Sequence, residues 1–195
     1  NIREVEVILH MVRCFEDGNI VHVEGDVNPL RDIEIIETEL IYADITQLEK
    51  KIDRLKKQSK ASKEAAASLV IAEELFKHLE ELQPVKTFEN KENEVFIALD
   101  KELRFLSNKD VIYGANVDED SLADGGNKFV DILKEHAASV GADVILLCAK
   151  IEEELVGLEE EEATEFLADL GVHGSGLEQI IHKAFDKLGL QSYFT

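Results

Sequence analysis

The sequence predicts an α/β fold: a parallel sheet into which an α-helical coiled-coil hairpin is inserted. Three observations carry that prediction. Residues 5–15 form a nearly continuous apolar run, and residues 110–115 and 143–148 form two more. Such unbroken runs are how strands buried on both faces of a parallel sheet read. Between the last two, residues 125–140 place Phe129, Ile132, Leu133 and Ala137 on one helix face at three- and four-residue spacing. Strand, helix, strand is a parallel crossover unit. The third observation is a short heptad seam, in which Ile41, Ile45, Leu48, Ile52 and Leu55 recur at alternating spacings of four and three.

The remaining elements follow in order. A helix beginning near Pro29 would run for about 28 residues and measure on the order of 40 Å. The polar stretch Gln58-Ser59-Lys60-Ala61-Ser62 interrupts it. A second helix carries Leu69, Ala72, Leu75, Phe76, Leu79 and Leu82 and stops at Pro84. Two antiparallel helices joined by a short polar loop make a hairpin projecting from the α/β domain. The bland alternative is a pair of ordinary amphipathic helices folded back on the sheet. Towards the carboxyl end, residues 159–170 form an acidic helix with Phe166, Leu167 and Leu170 as its apolar face. Ser175-Gly176-Leu177-Glu178 then reads as a capping box opening a last helix to Leu188, with Gly189 as its stop.

Composition narrows the function classes. The chain has 195 residues, 42 acidic and 21 basic, for a formal charge of −21. That length suits one domain, or one domain with a sizeable insertion. A 45% hydrophobic composition supplies a core and excludes disorder over most of the chain. A strongly acidic chain does not coat DNA, because that binding draws on excess Lys and Arg. No apolar run reaches the ~20 residues needed to span a bilayer. The only cysteines, Cys14 and Cys148, lie in apolar runs, which points to a reducing cytoplasm and not to a disulfide framework. No signal peptide is visible. The chain opens on Asn1 and ends at Thr195 without a structural stop, so both ends read as cuts through a longer protein.

Several motif-like features dissolve on inspection. Gly171 and Gly176 have the spacing of a phosphate-binding loop, but Leu177 and Glu178 stand where Lys and a hydroxyl are needed. Asp186-Lys187-Leu188-Gly189 imitates an Asp-x-x-Gly motif at the end of an amphipathic helix and reads as a C-cap. His10, His22, His78, His136, His173 and His182 show no ligand spacing, so no metal site and no catalytic residue is assigned. The runs Glu152-Glu153-Glu154 and 159–162 read as solvated faces.

Two features rise above this background. In open α/β sheets the ligand sits beyond the carboxyl ends of the strands. There lie Asn116-Val117-Asp118-Glu119 after one strand and Cys148-Ala149-Lys150 after the next. An Asn amide offers both donor and acceptor to the edge of a purine, and a neighbouring loop can close over the base with backbone groups. The second feature is charge placement. Lys50, Lys51, Arg54, Lys56, Lys57, Lys60 and Lys63 face only Asp53 in the hairpin tip, a local charge of +6 in a chain of −21. This reads either as a solvated helix end or as a contact for a phosphate backbone.

The blocks Ile2-Arg3-Glu4-Val5, His10-Met11-Val12-Arg13-Cys14-Phe15-Glu16-Asp17 and residues 22–34 resemble the YchF family of Obg-like P-loop ATPases. So do Ala115-Asn116-Val117-Asp118-Glu119-Asp120, Cys148-Ala149-Lys150-Ile151-Glu152 and residues 190–195, in colinear order over the whole chain. The resemblance implies a nucleotide-binding domain interrupted by a coiled-coil hairpin and followed by a small TGS domain. On that reading residues 1–29 and 91–190 belong to the nucleotide-binding domain, 30–90 to the hairpin, and 191–195 to the start of the TGS domain. It also implies ATP hydrolysis with magnesium, ribosome binding, with the basic hairpin tip as the candidate contact for ribosomal RNA, and a role in translation or stress responses. Asn116, Val117 and Glu119 fall on the family's Asn-x-x-Glu base-specificity motif, and Cys148 and Ala149 on its Ser-Ala-Lys loop, with a hydroxyl lost at Cys148. Val117 would meet the adenine amino group through its backbone. The phosphate loop and the magnesium ligands are expected upstream of Asn1. Phosphoryl transfer depends on those parts, so this segment alone is expected to be inactive. The rival reading is a non-catalytic protein- or ribosome-binding module; a receiver-like domain lacks the necessary strand-end acidic cluster.

Overall fold

The computed structural model describes residues 6–16, 26–172 and 174–188. Gly189 as a helix stop and 191–195 as the start of a further domain lie outside the described residues, as do His22 and His173.

Three parallel strands form one sheet in the order β1-β2-β3. They are β1 (Val7–Arg13), β2 (Asp110–Asn116) and β3 (Asp143–Leu147). Val7 pairs with Asp110 and Arg13 with Asn116, while Ile112 pairs with Asp143 and Asn116 with Leu147. The expected crossover helix is α5 (Lys128–Val140). Its N-cap Asn127 accepts hydrogen bonds from the Phe129 and Val130 amides, and Gly141, at φ 69°, ends it in the left-handed region. Val130, Leu133 and Ala137 are its buried stripe, whereas Ile132 is 40% exposed. Phe129 packs against the same core, so the expected face holds except at Ile132, and Val130, at spacings of three and seven from the other two, completes the stripe instead.

The sheet is covered unequally. On the α5 side Val12, Tyr113, Ala115 and Val117 join the helix in one core. On the other side α8 (Gly176–Leu188) lies against β3 and β2. Gly176 is required there: a Cβ at this position would come within 2.5 Å of Leu147 Cβ. β1 departs from the expectation of burial on both faces, since Leu9 and Met11 are 40% and 43% exposed.

Contacts divide the chain into two units, one of which takes in Glu34–Lys109 together with Glu6. The other takes in the described parts of residues 7–33 and 110–195. Helix α1 (Pro29–Gln58) has 30 residues and is about 45 Å long. A turn at 59–61 leads to α2 (Lys63–Glu80), whose N-cap Ser62 accepts from the Ala65 amide. Ile41, Leu48, Ile52 and Leu55 of the seam are buried against Ile71, Ala72, Leu75 and Leu79. Leu82 falls beyond the end of α2 in the left-handed region (φ 58°) and is exposed, so it is not part of that face. The helical core also takes in Phe96, Leu99 and Leu103 of α3 (Glu94–Leu103), together with Val85, Phe88 and Phe105. The helical unit therefore continues past the expected boundary at 90, because a two-helix hairpin leaves an apolar flank that α3 closes.

Asp44 anchors this closure. It is fully buried on α1 and accepts hydrogen bonds from the Leu106 amide (2.9 Å), the Ser107 amide (2.8 Å) and the Ser107 hydroxyl (2.6 Å). Ser107 Oγ in turn accepts from the Val85 amide. A carboxylate without water is tolerable only with such a set of donors.

A candidate base-binding cleft at the strand ends

Parallel strands deliver their carboxyl ends to one edge, and the loops that leave them are held together by backbone groups. The Cys14 amide donates to the Asn116 carbonyl (2.8 Å), and the Val117 amide donates to the Leu147 carbonyl (2.9 Å). Asn127 Nδ2 ties in the β1 end by donating to the Cys14 carbonyl (2.7 Å). Two short helices start here, α4 (Glu119–Ala123), capped by Asp118, and α6 (Ala149–Leu155), following Cys148.

The deciding contact is between the side chain of Asn116 and the next loop: the Ala149 amide donates to Asn116 Oδ1 at 3.0 Å. Because that partner is a donor, it fixes which end of the Asn amide is oxygen. Asn116 Nδ2 makes no hydrogen bond among the described residues, and Asn116 lines a cleft of about 460 Å³. Val117, Glu119, Cys148 and Ala149 line the same cleft, so all five residues read as base-binding converge there. Val117 does so with its side chain buried in the sheet core and its amide engaged by Leu147, which leaves only its carbonyl to meet an amino group. Cys148 makes no side-chain capping bond to α6, the structural counterpart of the missing hydroxyl.

Sequence reasoning missed the other wall, Phe15 and Glu16, just beyond β1. Their signal was only that β1 ends beside β2, which no local pattern shows. Arg13 holds this corner, with its guanidinium 5.2 Å from the Phe15 ring centre and its Nε donating to the Phe15 carbonyl. Lys150 also lines the cleft and pairs with Glu119 at 3.2 Å, which raises the lysine above its ordinary pKa. Hydrogen bonds from Ser121 hold the Asp118 carboxyl below the usual carboxylate range. Burial, with Asp32 adding to it, pushes the Cys14 thiol up to about 12, so it is no nucleophile at neutral pH. Among the described residues no three His, Cys, Asp or Glu side chains converge to hold a metal.

The basic cluster is placed on α1, the following turn and the start of α2. Lys51 is removed from it: its ammonium binds Glu102 of α3 at 2.8 Å and is mostly buried. Lys50, Arg54, Lys56, Lys57, Lys60 and Lys63 are exposed.

Comparison with known proteins now bears on this cleft. No family model matches the chain. The "Ribosome-binding ATPase YchF" of Bacillus subtilis is 44% identical over 197 residues, covering 100% of this chain and 53% of that protein. The protein of the same name from Escherichia coli O157:H7 is 40% identical over 196 residues, with the same coverage. A solved structure, the Schizosaccharomyces pombe YchF GTPase, superposes with a TM-score of 0.76 at 33% identity, covering 94% of this chain and 50% of the other.

Over its whole length the chain is similar to YchF proteins. It spans about half the length of the curated relatives it matches. Its fold is part of the parallel sheet of a P-loop NTPase, carrying an inserted helical unit. The names of these YchF proteins disagree on the nucleotide, ATP for the two bacterial relatives and GTP for the yeast structure. Among the described residues no helix is long and apolar enough to cross a membrane.

Proposed function

We propose that this chain supplies the base-reading part of an ATP-binding, ATP-hydrolysing and ribosome-associated cytoplasmic protein that regulates translation or stress responses. The observation that carries the reading is the Asn116–Ala149 link, which fixes the orientation of one Asn amide beside a cleft with room for a purine. Asn116 Nδ2 would donate to a purine N7, which adenine and guanine share. Choice between them falls to position 6, an amino donor in adenine and an oxo acceptor in guanine. Two backbone amides at the rim, Val117 and Ala149, are already engaged and offer an oxo group nothing. Carboxylates of Asp118, Glu119 and Asp120 surround the opening, and acceptors suit an amino group. Both terms favour ATP.

The donor set fits a base and does not fit a polyphosphate with magnesium. The cation lining the cleft is Lys150, which is paired with Glu119. The bound nucleotide supplies the phosphoryl group; this chain's residues orient its base and exclude water from one edge. Phosphate and magnesium ligands belong to the further length that the relatives possess. The 195-residue chain alone should therefore show no turnover.

The test is equilibrium binding of ATP and GTP to a chain extended upstream. Asn116→Ala should weaken both nucleotides by about tenfold or more, and Glu119→Asp should narrow the preference for ATP. Val117→Lys is unsuitable, because it places a charge in the sheet core. Equal affinity for both nucleotides in all three proteins would refute the reading.

Ribosome association would rest on the exposed lysines of the helical unit. Reversing Lys56, Lys57 and Lys60 to Glu should release the extended chain from ribosomes at low salt. The second reading, a non-catalytic ribosome- or protein-binding module, is favoured by the engagement of Lys150 with Glu119. It requires ribosome binding that is indifferent to nucleotide and to Asn116→Ala.

A further inference from the structure

A second recess lies in the same unit, bounded by α6, α7 (Glu160–Asp169) and the first turn of α8. It has a volume of about 550 Å³, and Leu155, Leu167 and Val172 form its apolar lining. Its edges carry two large apolar side chains in the open, Val156 at 86% and Leu177 at 60% exposed. Ile181 and Phe185 follow Leu177 at four-residue steps and are 46% and 37% exposed, so they prolong that edge along one face of α8. Apolar surface arranged in this way, with a polar surround, marks a contact site more often than scattered exposed residues do.

Charge selects the partner. From residue 151 to residue 182 the sequence holds ten acids and no Lys or Arg. Glu152 is engaged internally, its Oε1 accepting from the Gly176 amide at 2.7 Å. Glu160 and Glu178 line the recess, Glu153 and Glu154 are exposed on α6, and Glu161 is exposed on α7. Such a field repels nucleic acid and acidic chains and attracts cations. An apolar trough between acidic helices is also the form in which proteins receive an amphipathic segment.

We propose that this recess docks a basic polypeptide segment of another protein, anchored by apolar side chains spaced about one helical turn apart. The apolar anchors cover Val156 and Leu177, and Lys or Arg between them meet Glu160 and Glu178. No residue lines both this recess and the nucleotide cleft, although α6 contributes to each, and the test of the recess is independent of ATP.

The probe is a fluorescent synthetic peptide of about 12 residues with Leu at every fourth position and Lys between, set against its Glu-for-Lys counterpart. The Lys peptide should bind the chain, weaken with added salt, and lose roughly tenfold in affinity in Val156→Ser/Leu177→Ser. Both positions are exposed, so the circular dichroism of the variant should match that of the parent. Glu160→Lys should cost a further severalfold. Absence of binding, equal binding of the Glu peptide, or insensitivity to both sets of substitutions would overturn the proposal. So would exclusion of the peptide by a chain extended beyond Thr195, which would assign the recess to that extension.

Discussion

Asp44 in the helical unit and Asn116 in the α/β unit are both polar side chains held beside apolar cores, and they end in opposite conditions. Asp44 is fully buried and receives three hydrogen bonds, from two amides and a hydroxyl. Asn116 accepts one, from Ala149, and presents its amino end to an open cleft. Saturation by internal donors makes a polar group a structural clamp; residual hydrogen-bonding capacity at a cleft makes it a reader of ligands. The same contrast holds for the lysines. Lys51 is enclosed against Glu102, while its neighbours on α1 stay in solvent and available to a partner.

The comparison can be broken most sharply at Asp44. Asp44→Ala leaves the Leu106 and Ser107 amides without their acceptor and should cost about 3 kcal/mol. Hydrogen exchange should locate the loss in residues 34–109, and equal acceleration of β2 and β3 amides would contradict a local clamp. Next comes Gly176→Ala. The new methyl meets Leu147 Cβ, which cannot swing away, so about 2 kcal/mol should be lost in chemical denaturation. A neutral outcome there would mean that α8 shifts freely on the sheet.

A smaller effect concerns His10, whose pKa is lowered by burial. The unfolded chain takes up the proton near pH 6.5 and the folded chain resists it to lower pH, so stability falls as pH drops below about 6.5. His10→Gln should flatten that part of the stability profile. The smallest expected change is at Asp118, whose carboxylate caps α4. Asp118→Ala should cost about 0.5 kcal/mol at neutral pH. The parent's advantage is complete above the ordinary carboxylate value of 3.8 and is lost as pH falls through the lower native one. A difference that persisted below that range would assign the effect to something other than the charged cap.

The sequence by itself determined the elements whose signal is local. The heptad seam of α1, the polar break before α2, the apolar runs of β2 and β3 and the crossover between them are all periodicities of neighbouring residues. Adjacency of strands then brought Asn116 and Ala149 into view, since two parallel neighbours must end together. Tertiary structure alone decided the rest. That α3 completes the helical core is a contact between separate helices, and that Asp44 is satisfied by Leu106 and Ser107 and Lys51 is held by Glu102 are contacts across more than fifty positions. Phe15 enters the cleft by the same kind of long-range pairing. Spacing encodes which side of an element faces inward; it carries no record of what arrives from elsewhere to meet it.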